Sequence, residues 1–127
     1  MTQENKELLL KDLCARVPYN IKASYYGEEE ERETWDEIEG VTLDGYVDIG
    51  QYILPIESIK PYLFPLSSMT EEQKMFLRQQ NWCIAISTSG TIETTIEGID
   101  WLNKNHFDYR GLIENGLAID ATNLNIY

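Results

Sequence analysis

Residues 28–48 carry ten acids (Glu28, Glu29, Glu30, Glu31, Glu33, Asp36, Glu37, Glu39, Asp44 and Asp48) against one base, Arg32. That stretch holds nine of the twelve net negative charges, and the rest of the chain is nearly balanced. Like charges this dense resist close packing and cannot be taken out of water together, so these carboxylates are expected at the surface. The four consecutive glutamates Glu28–Glu31 repel one another and predict a solvated acidic loop over about 27–34.

The remaining composition is that of an ordinary globular chain. It has 127 residues, of which 43% are apolar, and a single domain over 1–127 is expected. At this length about two-thirds of the unfolded surface is buried on folding, without need of a disulfide or metal. The two cysteines, Cys14 and Cys83, form no CxxC pair, and there is one histidine. A structural zinc site with four Cys/His ligands is therefore not expected, and neither is any other metal or cofactor. No charged segment leads into an apolar one at the start, and no apolar run approaches the length of a membrane span. The expectation is a cytoplasmic protein that does not enter membranes, with both thiols free and buried.

The hydrophobic pattern predicts an α+β fold: an antiparallel sheet of about four to five short strands with about four helices packed against it. A first helix over 4–17 has Leu10, Leu13, Cys14 and Val17 as its inner stripe, Thr2 as N-cap and Pro18 as its stop. Ile21, Ala23 and Tyr25 alternate with polar residues in a strand over 20–26. Two strands, 34–43 and 46–53, turn around Asp44-Gly45, with Gly40 at a bulge. Of two registers, one pairs Leu43 with Tyr46 and Val41 with Asp48. The other pairs Leu43 with Val47 and Val41 with Ile49, and is preferred because it gives a cleaner apolar face.

Residues 54–67 contain Pro55, Pro61 and Pro65 and read as an apolar connector with a helical turn at 56–60. Capping boxes Ser68-x-x-Glu71 and Thr70-x-x-Gln73 open a helix over 70–80 whose apolar part is Met75, Phe76 and Leu77. Trp82–Ile86 reads as a buried strand that turns at Ser89-Gly90 and returns over 91–94. Thr94-x-x-Glu97 caps a helix over 95–105 that uses Ile96, Ile99 and Leu102. Asp108 caps a last short helix with Leu112 and Ile113 inward and Gly116 as its stop, and a loose tail runs over 120–127.

Chemistry-bearing groups are few. His106 is the one residue whose ordinary pKa lies near neutrality. It could serve as a base, with Asp108 orienting it and Arg110 clamping an anion. The structural alternative is that His106 closes a helix, where a positive charge suits the C-terminal dipole, while Asp108 caps and Arg110 pairs with an acid. No nucleophile stands at a recognised spacing, and no Gly-x-Ser-x-Gly, Gly-x-x-x-x-Gly-Lys or Gly-x-Gly-x-x-Gly string is present. No catalytic residue is assigned. Glu28–Glu31 lack the alternating spacing that folds ligands around one cation. Direct nucleic-acid binding is disfavoured, because the ten bases are scattered.

The string Lys60-Pro61-Tyr62-Leu63-Phe64-Pro65-Leu66-Ser67-Ser68-Met69-Thr70-Glu71-Glu72-Gln73, with Asp100-Trp101-Leu102-Asn103 and His106-Phe107-Asp108-Tyr109-Arg110-Gly111-Leu112-Ile113, resembles a family of short, uncharacterised proteins. They are encoded by gut anaerobes, their phages and mobile elements. The opening Leu9-Leu10-Lys11-Asp12-Leu13-Cys14-Ala15-Arg16 fits the same pattern. The resemblance implies a phage-type accessory protein and carries over no functional residue.

Three functional expectations follow. The first is a non-catalytic interaction module whose acidic surface, Glu28, Glu29, Glu30, Glu31, Glu33, Asp36, Glu37 and Glu39, meets a protein partner with a basic surface. Such a module would suit inhibition of a host defence or nucleic-acid-handling protein. The second is a small-ligand binder of nucleotide type using His106, Tyr109 and Arg110. The third is an enzyme built on His106 and Asp108.

Overall fold

The computed structural model describes residues 1–25, 34–86 and 92–127. The expected acidic loop and the Ser89-Gly90 turn lie outside the described residues. The fold is α+β, with three α-helices and nine strands among the described residues, in the order α1 (Gln3–Arg16), β1 (Lys22–Tyr25), β2 (Thr34–Val41), β3 (Tyr46–Ile49), β4 (Tyr52–Pro55), β5 (Ile59–Pro65), α2 (Glu71–Gln79), β6 (Cys83–Ile86), β7 (Ile92–Thr94), α3 (Ile96–Lys104), β8 (Phe107–Asp108) and β9 (Ile119–Asp120). Seven strands form one sheet in the order β4-β3-β2-β1-β5-β8, with β9 also on β5, and β6 and β7 form a separate hairpin. The sheet is mixed and not purely antiparallel, because the two-residue strands β8 and β9 both run parallel to β5.

The main core lies between α1 and one face of the sheet. Leu9 and Leu13 pack on Ile21, Ala23, Ile49 and Leu63, all of them fully buried. Thr2 caps α1 as its sequence suggests, its hydroxyl accepting from the Asn5 N–H. The inner stripe, however, is rotated from the expected one. Leu9, Asp12, Leu13 and Arg16 face inward, while Cys14 is exposed. The spacing argument assigned the charged residues outward. Asp12 and Arg16 neutralise each other and go inside together, which turns Cys14 to solvent. The Cys83 side chain lies outside the described residues.

The acidic segment enters the sheet as β2. Its pairing with β3 is neither expected register: Val41 faces Val47, Gly40 faces Asp48, and Ile38 faces Ile49. The shift between Ile38 and Gly40 makes Glu39 the extra residue of a bulge, which is why counting from the Asp44-Gly45 turn fails. Residues 46–53 are not one strand. Gly50 takes φ +60° and the chain reverses, so that Ile49 faces Tyr52. Of the proline-rich connector, Pro55 ends β4, the expected helical turn forms as a single 3-10 turn at Ile56–Ser58, and the rest is in fact β5, with Pro61 opposite Ala23 on β1. Its apolar residues Ile59, Tyr62 and Leu63 are buried, so it belongs to the core despite the two N–H groups that Pro61 and Pro65 lack.

A second cluster, Leu66, Met69, Leu77, Leu102 and Phe107, lies under α2 and α3. Thr70 and Gln73 form the complete capping box of α2. On that helix only Leu77 is buried, whereas Met75 and Phe76 are exposed. The cap of α3 is Thr95, accepting from Gly98 N–H, and not Thr94, whose hydroxyl is drawn to the Trp82 carbonyl. No helix forms after Asp108; residues 112–116 are a series of turns closing at Gly116, φ +71°.

The tail is packed and not loose. Ala121 and Ile126 are buried beside Tyr62. The Tyr127 hydroxyl accepts from Lys22 N–H at 2.9 Å and donates to the Tyr62 carbonyl at 2.8 Å. Lys22 and Tyr62 are the next pair in the β1–β5 register after Ala23 and Pro61, so this hydroxyl spans the ladder where the two strands part.

A Cβ at Gly50 would come within 2.5 Å of the Tyr25 hydroxyl, in addition to the positive φ. A Cβ at Gly116 meets nothing within 4 Å. Gly50→Ala is therefore expected to destabilise by more than about 1 kcal/mol and by more than Gly116→Ala, which meets the backbone strain alone. Urea midpoints of the two variants measure this, and equal midpoints would contradict the close approach.

Candidate functional site

Three places gather the residues that sequence singles out. The first is a polar network beneath α1. Arg16, fully buried, donates from Nε to Asp12 Oδ2 and from Nη2 to the Phe107 carbonyl, both at 2.7 Å. Arg110 Nε stands 3.2 Å from Asp12 Oδ1 as an ion pair, without hydrogen-bond geometry. Both guanidinium groups lie over the Tyr109 ring, at 5.1 and 5.0 Å from its centroid. Tyr109 in turn donates to Asn103 Oδ1 at 2.7 Å. Tyr109 and Arg110 thus tie α1 to the end of α3.

Asp108 is separate from both. Its oxygens accept the N–H groups of Arg110, Leu112 and Ile113. The capping role expected of it survives, but for a turn. It does not orient His106, so the base, orienter and clamp arrangement is not assembled.

The second place is His106 itself. It takes φ +63°, its N–H bonds back to the Asn103 carbonyl at 3.2 Å, and it ends α3. The imidazole stacks on Tyr127 with centroids 3.7 Å apart. Burial, then the charges of Arg16 and Lys22, push its pKa down to about 4. The helix-closing role holds, but His106 is uncharged at neutral pH and does not act through the dipole as expected. Burial also keeps the Tyr127 hydroxyl protonated well above its usual range. Two open depressions, of about 540 and 580 Å³, flank this pair and share Lys104, His106 and Tyr127. Neither Tyr109 nor Arg110 lines them. Nothing in the sequence links residue 127 to residue 106; the pairing depends on the tail reaching the β1–β5 ladder.

The third place is the sheet face opposite α1. Cross-strand pairing puts Lys22 beside Glu37, and Ser24 beside both Trp35 and Lys60. With Ile38, Val47, Ile49 and Leu54 directed into the core, strand alternation places Tyr46, Asp48 and Ile53 on this face too. Trp35 is 46% exposed, Tyr46 44% and Ile53 70%. The Lys22 ammonium lies 5.2 Å from the Trp35 ring centroid and 5.5 Å from that of Tyr127, and donates to the Ile126 carbonyl. The same alternation separates the acids. Glu37 shares this face, while Asp36, opposite Ala23, points to the other. Glu39 is exposed at the bulge. Glu28, Glu29, Glu30, Glu31 and Glu33 lie outside the described residues. Among the described residues no cluster of His, Cys, Asp and Glu that could hold a metal ion occurs, and no helix is long and apolar enough to cross a membrane.

Two outcomes are expected. Arg16→Met leaves Asp12 buried beside a partly exposed Arg110 and costs about 3–5 kcal/mol, part of which Asp12→Leu in the same chain restores; urea unfolding of the single and double variants reads this. Because the folded pKa of His106 lies below its ordinary 6.5, the unfolded chain binds the extra proton. Its contribution is whole above pH 6.5, falls as pH drops towards 4 and is gone below. Subtracting the profile of His106→Asn, which accepts the same left-handed backbone, isolates that slope from the carboxylates; identical profiles would exclude it.

Comparison of the chain with protein-family models, with curated proteins and with solved structures finds no match.

Proposed function

We propose that this chain is a non-catalytic protein-interaction module, of the phage or mobile-element type, that presents its open sheet face to a partner with a basic surface. The observation that carries the reading is the placement of Trp35, Tyr46 and Ile53 in water, interleaved with Glu37 and Asp48 on one face. Exposed tryptophan and tyrosine are the side chains that most often anchor interfaces, because they bury a large area at small entropic cost. Exposed acids around them favour arginine and lysine on the partner and disfavour a second copy of the same face.

The net charge of −12 adds a field that steers a basic partner towards the chain. Proteins that handle nucleic acid present such surfaces, so blocking one of them is the action the chemistry suits best.

Affinity capture from a native host lysate at low salt tests the reading. Wild type retains a basic protein, high salt releases it, and Trp35→Ala weakens its binding about tenfold or more. Glu37→Lys combined with Asp48→Lys abolishes capture. If Trp35→Ala and the charge reversal retain the same protein as wild type, the face is not the interface.

A further inference from the structure

The depression of about 540 Å³ beside His106 and Tyr127 is unlike the rest of this acidic molecule. None of its lining residues is Asp or Glu, in a chain with 22 of them. Its polar lining is almost wholly neutral: Ser68, Thr70, Gln73, Asn105, Thr122 and Asn123. Phe64, Phe107 and Tyr127 supply apolar ring surface. Lys104 is exposed at the rim and makes no ion pair or hydrogen bond among the described residues. The size falls within the range of small-molecule sites. Two lining residues, His106 and Asn123, hold positive φ of 63° and 67°.

We propose that this depression binds a monosaccharide-sized polyhydroxy compound carrying one anionic group, a sugar acid or a sugar phosphate. Hydroxyls of the ligand match the amide and hydroxyl groups of the lining. The Asn105 Nδ2 is held by the Trp101 carbonyl, which leaves its oxygen for the ligand. The Ser68 hydroxyl donates to the Pro65 carbonyl, which leaves its oxygen free to accept. Lys104 receives the anion, and Lys22, 5.5 Å from the centroid of the Tyr127 ring that lines the depression, adds a positive charge beside it. A nucleotide fits less well. The Tyr127 ring is stacked by His106, with Lys22 also against it, so no free face awaits a base.

His106 is the only histidine, so its imidazole Hε1 gives a single NMR signal of its type. Titration with gluconate, glucose 6-phosphate, glucose, inorganic phosphate and AMP tests the proposal directly. The expected result is a saturable shift of that signal with gluconate or glucose 6-phosphate, and binding at least about fivefold weaker for glucose and for phosphate alone. The bound anion also raises the imidazole pKa, because it stabilises the charged form. Lys104→Gln, a surface change, weakens the acidic sugars about fivefold or more and leaves the fold intact. The proposal is overturned if neither acidic sugar gives a saturable shift, if phosphate alone binds as well, if AMP binds more tightly than both, or if Lys104→Gln changes nothing. Ile53→Ala lies on the other proposed surface, on the edge strand β4 three places from the strand of Lys22, and leaves this binding in place, so the two proposals fail independently.

Discussion

The buried pair of Asp12 and Arg16 is the contact on which the two halves of the structure depend. Removing two charges from water is costly, and an apolar pair of the same volume packs at least as well. What an apolar pair cannot do is reach the Phe107 carbonyl, which Arg16 holds at 2.7 Å. Phe107 belongs to the cluster under α2 and α3, while Leu9 and Leu13 on the same helix belong to the cluster over the sheet. One side chain therefore fixes how α1 sits on both. Arg110 and Tyr109, which sequence offered as ligand groups, are drawn into the same network. Their chemistry is used internally, and this is why the depressions are lined by other residues.

Much of the fold was legible because local signals decided it. Thr2, and Thr70 with Gln73, cap helices where a hydroxyl precedes the apolar run. Gly40 marks a bulge, and Asp108 collects backbone N–H groups. What failed was whatever depended on partners distant in sequence. Asp12 goes inside and Cys14 out because Arg16 reaches the Phe107 carbonyl and Arg110 stands beside Asp12, both far along the chain, and residue type alone does not show this. Pro61 and Pro65 read as breakers, yet β5 accepts them where its neighbours change from β1 to β8 and β9. The tail looked polar and free, but Ile126 and Tyr127 find β1 and β5 more than sixty residues away in sequence.

The same reasoning applies to the acidic stretch. As a composition it is a single block of charge. Its part Thr34–Val41 is the strand β2, and a strand sends successive side chains to opposite faces. Glu37 reaches the open face and Asp36 does not. The block is thereby divided, and the exposed aromatic and aliphatic groups between its acids become as informative as the charge. Sequence weighed the acids of this segment; that Trp35 stands exposed among them shows only in the fold.

Ring contacts run unbroken from Trp82 through Phe76, Trp101, Phe107, Phe64 and Tyr127 to His106. Flat, stiff groups in contact leave little slack, and interiors packed this densely pass displacement on instead of absorbing it. The Lys22 ammonium extends the row to Trp35 at the far side of the sheet. Anything that tilts the ring of Trp35 therefore presses, through a single methylene chain and one phenol, on the same stack that roofs α2 and α3. The molecule is jointed less like a sheet with loose helices than like a row of overlapping tiles, most of them stacked or tilted on the next.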